Sequence, residues 1–130
     1  MKNIPNNPTF ACDYLYYPFS SGGVMGEDGK KWVRSARTWL KAFCKEIGAI
    51  NFELHTGHYY FYGFFMYKNQ YWYFSSGDCR FKLFSGMLIR TAKNNKDYTG
   101  GCNQSVDYRS KNFKYELTCI INKELFYILP

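Results

Sequence analysis

The sequence predicts an α+β fold, in which an amphipathic basic helix packs on an aromatic-rich antiparallel β-meander and a second helix lies near the C-terminus. Three observations predict it. Apolar residues recur at spacings of three and four over residues 30–47. Alternation then begins at Ile50 and gives way to aromatic runs punctuated by turn residues up to Ser76. Residues 110–125 carry a pattern that suits a helix and a strand equally, and we favour the helix. At 130 residues the chain is read as one domain, 1–130, because two would each sit near the lower limit for unaided folding.

Residues 1–8 hold two prolines and three asparagines and read as an irregular lead-in. The aromatic stretch 9–19 suits an edge strand ended by Pro18, and SSGGVMGEDG at 20–29 suits a loop. In the helix, Trp32, Val33, Ala36, Trp39, Leu40, Phe43, Cys44 and Ile47 form one apolar stripe. Asp28 is placed to cap its start and Gly48 to end it in a left-handed conformation. Arg34, Arg37, Lys41 and Lys45 lie off the stripe, with Lys30 and Lys31 in the first turn. Cations there oppose the helix dipole at a cost of a few tenths of a kcal/mol, roughly, so their presence asks for a reason.

The next stretch reads as three antiparallel strands. Ile50, Phe52 and Leu54 alternate with Asn51, Glu53 and His55; HYYFYGFFMY follows a Thr-Gly turn; Lys68-Asn69-Gln70 turns the chain into YWYFSS. Between 59 and 74, eleven of sixteen residues are aromatic, so both sheet faces carry rings. The second face is therefore either covered by another layer or left as a stacking platform, with some of Tyr59, Tyr62, Tyr67, Tyr71 and Tyr73 exposed. Over 77–108 the period does not separate helix from strand, and a polar loop of about fifteen residues follows Arg90. LFYIL at 125–129 reads as a buried tail or last strand.

Composition narrows the function. An apolar share of 46% excludes a wholly disordered chain, and a net charge of +7 favours a polyanionic partner. There is no apolar run of signal-peptide length at the start and no run of 18 apolar residues, so we expect a cytosolic protein with no membrane partner. Five widely spaced cysteines without a CxxC are expected to be reduced thiols.

Few motifs carry chemistry. GGVMGEDGKK fails as a phosphate-binding P-loop, because Val24 stands where the first glycine belongs and Lys31 where the hydroxyl belongs. His55 and His58 could join Cys79 or Cys102 on a metal, or act as base to a thiol, but no tight pair spacing supports either. Glu53, Asp97, Asp107 and Glu116 form no dense carboxylate cluster. We therefore expect no catalytic residue, no metal and no cofactor.

The segment Arg90–Gly101 differs. It concentrates Arg90, Lys93 and Lys96 with Tyr98 and the pair Gly100-Gly101. Glycines let successive N–H groups converge on an anion, arginine offers a planar fork to a phosphate, and tyrosine stacks on a base.

HYYFYGFF, YWYFSSGDCRF and MLIRTAKNNKDYTGG, within residues 50–105, resemble small uncharacterised proteins of bacterial phages and integrative elements. The resemblance rests on the Arg-Thr-Ala…Lys-Asp-Tyr-Thr-Gly-Gly pattern. It implies an anti-CRISPR-like inhibitor of host defence, acting in the host bacterial cytosol by stoichiometric binding rather than catalysis. A charge of +7 departs from the acidic inhibitors that mimic DNA. The order helix, three strands, loop, helix is also similar to that of the double-stranded-RNA-binding domain. That domain's Lys-Lys-x-Ala-Lys is absent here, where the nearest text is Ser110-Lys111-Asn112-Phe113-Lys114.

The expected function is thus a non-enzymatic protein that engages nucleic acid, or a nucleic-acid-loaded effector complex, through one basic surface. Arg34, Arg37, Lys41, Lys45, Arg90, Lys93, Lys96, Tyr98, Gly100 and Gly101 would form it. The alternatives are a sponge for a cyclic or dinucleotide signal, with phosphates held at 90–104, and a small enzyme using histidine or cysteine.

Overall fold

A computed structural model describes residues 27–76, 86–99, 101–107 and 110–128. The chain is an α+β protein. Helix α1 (Glu27–Ile47) leads into a five-stranded sheet of β1 (Ile50–Thr56), β2 (Phe61–Tyr67), β3 (Gln70–Ser76), β4 (Gly86–Ala92) and β5 (Gln104–Asp107), and helix α2 (Phe113–Ile128) follows. The strands lie in chain order, each antiparallel to the next. The three-strand meander is therefore extended by β4 and β5, and the helix–three strands–helix order does not hold. The expected edge strand at 9–19 lies outside the described residues.

Helix α1 begins at Glu27, so Asp28 is inside the first turn and not its cap. Its end is the expected one. Gly48 takes φ +85°, its N–H donates to the Lys45 carbonyl, and the Ala49 N–H donates to the Cys44 carbonyl at 2.7 Å. These two bonds satisfy carbonyls that a helix end otherwise leaves bare.

Two details set the sheet. Lys68 and Asn69 both have positive φ, 51° and 63°, and join β2 to β3 as a two-residue hairpin whose twist matches the strands. Gln70 pairs with Tyr67 and so belongs to β3 rather than to the turn. In β1 the register slips between Ile50 and Glu53, with Asn51 at φ 58° in the bulge. The bulged backbone passes close over Gly63, where a Cβ would collide with the Glu53 carbonyl and the Phe74 ring.

Both helices pack on one face of the sheet. Trp32, Val33, Ala36, Trp39, Leu40, Phe43 and Cys44 of α1 meet Leu54, Phe61, Phe65, Trp72, Phe74, Met87, Ile89 and Val106 of the strands. Phe113, Leu117 and Ile121 of α2 join them at a spacing of four. Trp39 lies edge-on to Phe113 at 5.2 Å, and Lys114 bridges to Glu46 at 2.8 Å, so the helices lie side by side. Helix α2 opens as the Asn112 carbonyl accepts the Glu116 N–H and Ser110 Oγ accepts the Asn112 N–H. It runs through residues 125–128, so the expected buried tail or last strand there is the final turn of a helix.

Candidate nucleic-acid interface

Alternation along the strands decides which residues share a surface. Directly paired residues point the same way, so Glu53/Phe64, His55/Tyr62, Phe64/Tyr73 and Tyr73/Arg90 all lie on the face opposite the helices. The loop from Lys93 to Thr99 covers that face. Tyr98 sets its ring edge against Phe64 at 5.6 Å, Tyr62 at 5.9 Å and Tyr73 at 6.1 Å. Asn95 Nδ2 donates to Glu53 Oε2 at 3.2 Å across the sheet. The second face is thus covered, and Phe64 is fully buried. Tyr98 stays half-exposed, while Tyr59, Tyr62, Tyr67, Tyr71 and Tyr73 are each partly buried. Burial, with the hydroxyls of Tyr98, Tyr60 and Tyr73 and the Glu53 carboxylate nearby, pushes the Tyr62 phenol above its ordinary value.

The ten expected site residues therefore do not form one surface. Arg34, Arg37, Lys41 and Lys45 line the exposed side of α1, whose apolar stripe faces the sheet. The loop that carries Lys93, Lys96 and Tyr98 lies across the opposite face. Gly100 lies outside the described residues.

The α1 side is a ridge. Lys30, Lys31, Arg34, Arg37, Lys41 and Lys45 are all exposed, and none has an ion-pair partner among the described residues. From Lys30 to Lys45 it runs about 22 Å at the rise of an α-helix. Apart from the adjacent Lys30 and Lys31, successive members stand three or four residues apart, so like charges face each other along the helix at roughly 0.2–0.5 kcal/mol per pair. Glu46, in the last turn of the same helix, is committed to Lys114.

Beside the ridge is a groove of 790 Å³ between α1 and β1. Arg37, Lys41 and Lys45 line it together with Ala42, Ile50 and Phe52. Ile50 is 58% exposed, an apolar side chain left at the edge strand. Composition and helical spacing point to the ridge, but the groove escapes sequence reading, because it depends on Gly48 turning β1 back beside α1.

The loop is tied largely by its own side chains. The Asp97 carboxylate accepts the Lys93 N–H at 2.9 Å and the Thr99 N–H at 3.1 Å, and Asn94 Oδ1 accepts the Lys96 N–H at 2.8 Å. The Lys93, Lys96 and Thr99 amides are thus held by the loop's own side chains, while the Gly100 amide of the expected cradle lies outside the described residues. Gly101, at φ +76°, packs so closely on the Thr91 backbone that a Cβ has no room. Its glycine is needed for that approach.

Arg90 is the least expected feature. It is only 5% exposed, its guanidinium stacks over Tyr73 at 4.1 Å, and Nε and Nη2 have no hydrogen-bond partner among the described residues. A buried donor left unmade costs on the order of 1–3 kcal/mol and a charged one more, while a desolvated cation–π contact returns about 2 kcal/mol.

Among the described residues the histidines and cysteines do not assemble. His55 Nε2 lies 2.9 Å from Glu53 Oε1, and His58 sits edge-on to Tyr59. Among the described residues no three of His, Cys, Asp and Glu gather as a metal site would need. Cys44 is a buried free thiol, Cys102 and Cys119 are exposed free thiols, and Cys79 lies outside the described residues. Among the described residues no helix is long and apolar enough to cross a membrane. No protein-family model, curated protein or solved structure matches the chain.

Proposed function

We propose that this protein is a non-enzymatic binder that engages nucleic acid, or an effector complex loaded with nucleic acid, through the α1 ridge and the groove beside it. One observation carries the reading: six exposed cations share one helix face with no carboxylate partner among the described residues. That arrangement costs stability in the free protein and is relieved when phosphates take the place of counterions. The apolar floor at Ile50 and Phe52 favours a single strand over a duplex, because unpaired bases present faces and edges that a duplex hides. A stoichiometric inhibitor of host defence, the role implied by the resemblance over residues 50–105, needs only such a surface.

The test is fluorescence polarisation with labelled short RNA, single-stranded DNA and duplex DNA at two salt concentrations. Binding should weaken steeply with salt. In the triple variant R37A/K41A/K45A the log–log salt slope should fall by about 2, at roughly 0.7 for each single-strand phosphate that is no longer neutralised. K93A/K96A should bind like the parent. No binding to any of the three at low salt, or an unchanged slope in the triple variant, would remove this reading.

The groove favours a second reading. Its 790 Å³ falls in the range of small-ligand sites, and three cations border an apolar floor. A sponge for a cyclic or dinucleotide signal would use this groove rather than the 90–104 loop. It predicts a large thermal shift with a dinucleotide and none with oligonucleotides.

A further inference from the structure

Arg90 carries a chemical demand that the fold leaves open. The two unpartnered nitrogens, Nε and Nη2, are neighbours on one edge of the guanidinium. Their N–H bonds point the same way and form the two-pronged donor that matches two oxygens of a carboxylate or phosphate. The Tyr73 ring beneath the guanidinium carbon stabilises the charge, but gives the two nitrogens no acceptor.

Among the described residues, the two carboxylates on this side of the sheet are engaged elsewhere. Glu53 takes His55 and Asn95, and Asp97 takes the Lys93 and Thr99 amides. The partner across the sheet is an aromatic ring, and Phe64, the next residue along that row, is buried and has no acceptor.

We infer that the free edge of Arg90 is a binding site for one oxyanion of a small ligand, a carboxylate or a phosphate, closed over by the loop Lys93–Thr99. The loop is suited to opening. Asn95 ties it to β1 through one side-chain hydrogen bond, and the ring that covers the cluster, Tyr98, is itself half-exposed. The site is independent of the α1 ridge, which lies on the other face.

The test uses the full chain labelled with ¹⁵N. The Arg90 Nε–H resonance is followed during titration with sodium phosphate and, separately, sodium acetate, at ionic strength held constant with chloride. A saturable shift and slower proton exchange are expected. Saturation by one anion alone assigns the ligand class, and saturation by both assigns a general oxyanion site. Asn95→Ala, which frees the loop, should tighten apparent binding several-fold, and R37A/K41A/K45A should leave it unchanged. Arg90→Gln should abolish saturation in a direct binding measurement, with its fold checked by circular dichroism. The titration of the parent protein stands even if that variant fails to fold. An Nε–H resonance unmoved by both anions, or a drift matched by chloride alone, would overturn the site. Unchanged affinity in Asn95→Ala would overturn the role of the loop.

Discussion

The two faces of the sheet hold their cations in opposite ways. On the helix side, an apolar stripe of tryptophan and phenylalanine takes all the burial, and six cations stand clear on the far side of α1. On the loop side, tyrosines surround Phe64, the cover among the described residues is the polar loop Lys93–Thr99, and the arginine is inside. The first face separates stability from charge, so its cations can be changed without touching the core. The second joins them, because the candidate ligand group, Arg90, is itself buried in the packing. Formal charge along a sequence does not distinguish the two cases; register does.

The largest effect should come from the dry face. Phe65 is 1% exposed in the shared core of both helices and the sheet. Phe65→Ala should cost about 3–5 kcal/mol, from lost burial and the cavity left behind. Urea denaturation checks it. A loss below about 1 kcal/mol would mean that the helix face is not the chief source of stability.

The next comparison uses thiols. Burial pushes the Cys44 thiol from an ordinary 9.0 up to about 12. A folded pKa above the unfolded one favours the folded state fully below pH 9.0. That contribution is lost as pH rises toward about 12, on the order of a few kcal/mol at the upper end. Cys44→Ala should therefore match the parent in the shape of its stability profile below pH 9 and fall less steeply above it. In the folded parent, Cys102 and Cys119, both exposed, should react with a thiol reagent far faster than Cys44. Equal rates would show that α1 opens readily from the sheet.

Much of the helix face was legible in the sequence. The stripe from Trp32 to Ile47 is a clean 3.6-residue period, and its cations fall outside it. Strand β4 was not legible, because Met87 and Ile89 are buried on one face and Arg90 and Ala92 on the other, which erases the alternation. Strand β5 offers only Val106 to the core in four residues. The loop after Arg90 was legible as special, but not how it is tied together. The short-range signal lay in Asp97 and Asn94, residues that bond to backbone two positions on, as Asp97 does to Thr99 and Asn94 to Lys96. Burial of Arg90 could not be read at all, since it depends on Tyr73 pairing across a strand whose existence was open.

Smaller effects should come from the loop-covered face. Tyr98→Ala removes the edge-on packing of one half-exposed ring against Tyr62, Phe64 and Tyr73. Aromatic pairs of this kind contribute about 0.5–1.5 kcal/mol beyond area, and all of these pairs share one ring, so a loss of roughly 1–2 kcal/mol is expected. The informative readout is amide exchange. Protection should fall in β2 and β3 near Tyr62 and Tyr73, and hold in α1. Uniform loss across the molecule would mean that the two faces unfold as one unit.

The smallest change tests the tie itself. Asn95 and Glu53 meet in a partly buried hydrogen bond between loop and edge strand, and Glu53 keeps a second bond to His55. Asn95→Ala should therefore cost only about 0.5–1.5 kcal/mol, the net worth of one such bond. Its kinetic consequence should be local: faster exchange at the Lys93, Lys96 and Thr99 amides that Asp97 and Asn94 now hold. Removing the tie without loosening those amides would show that the loop is held by its own Asp97 and Asn94 bonds and by Tyr98, with the bond to Glu53 contributing nothing to closure. Loosening them with α1 unchanged would establish the loop as a cover that moves on a sheet that does not.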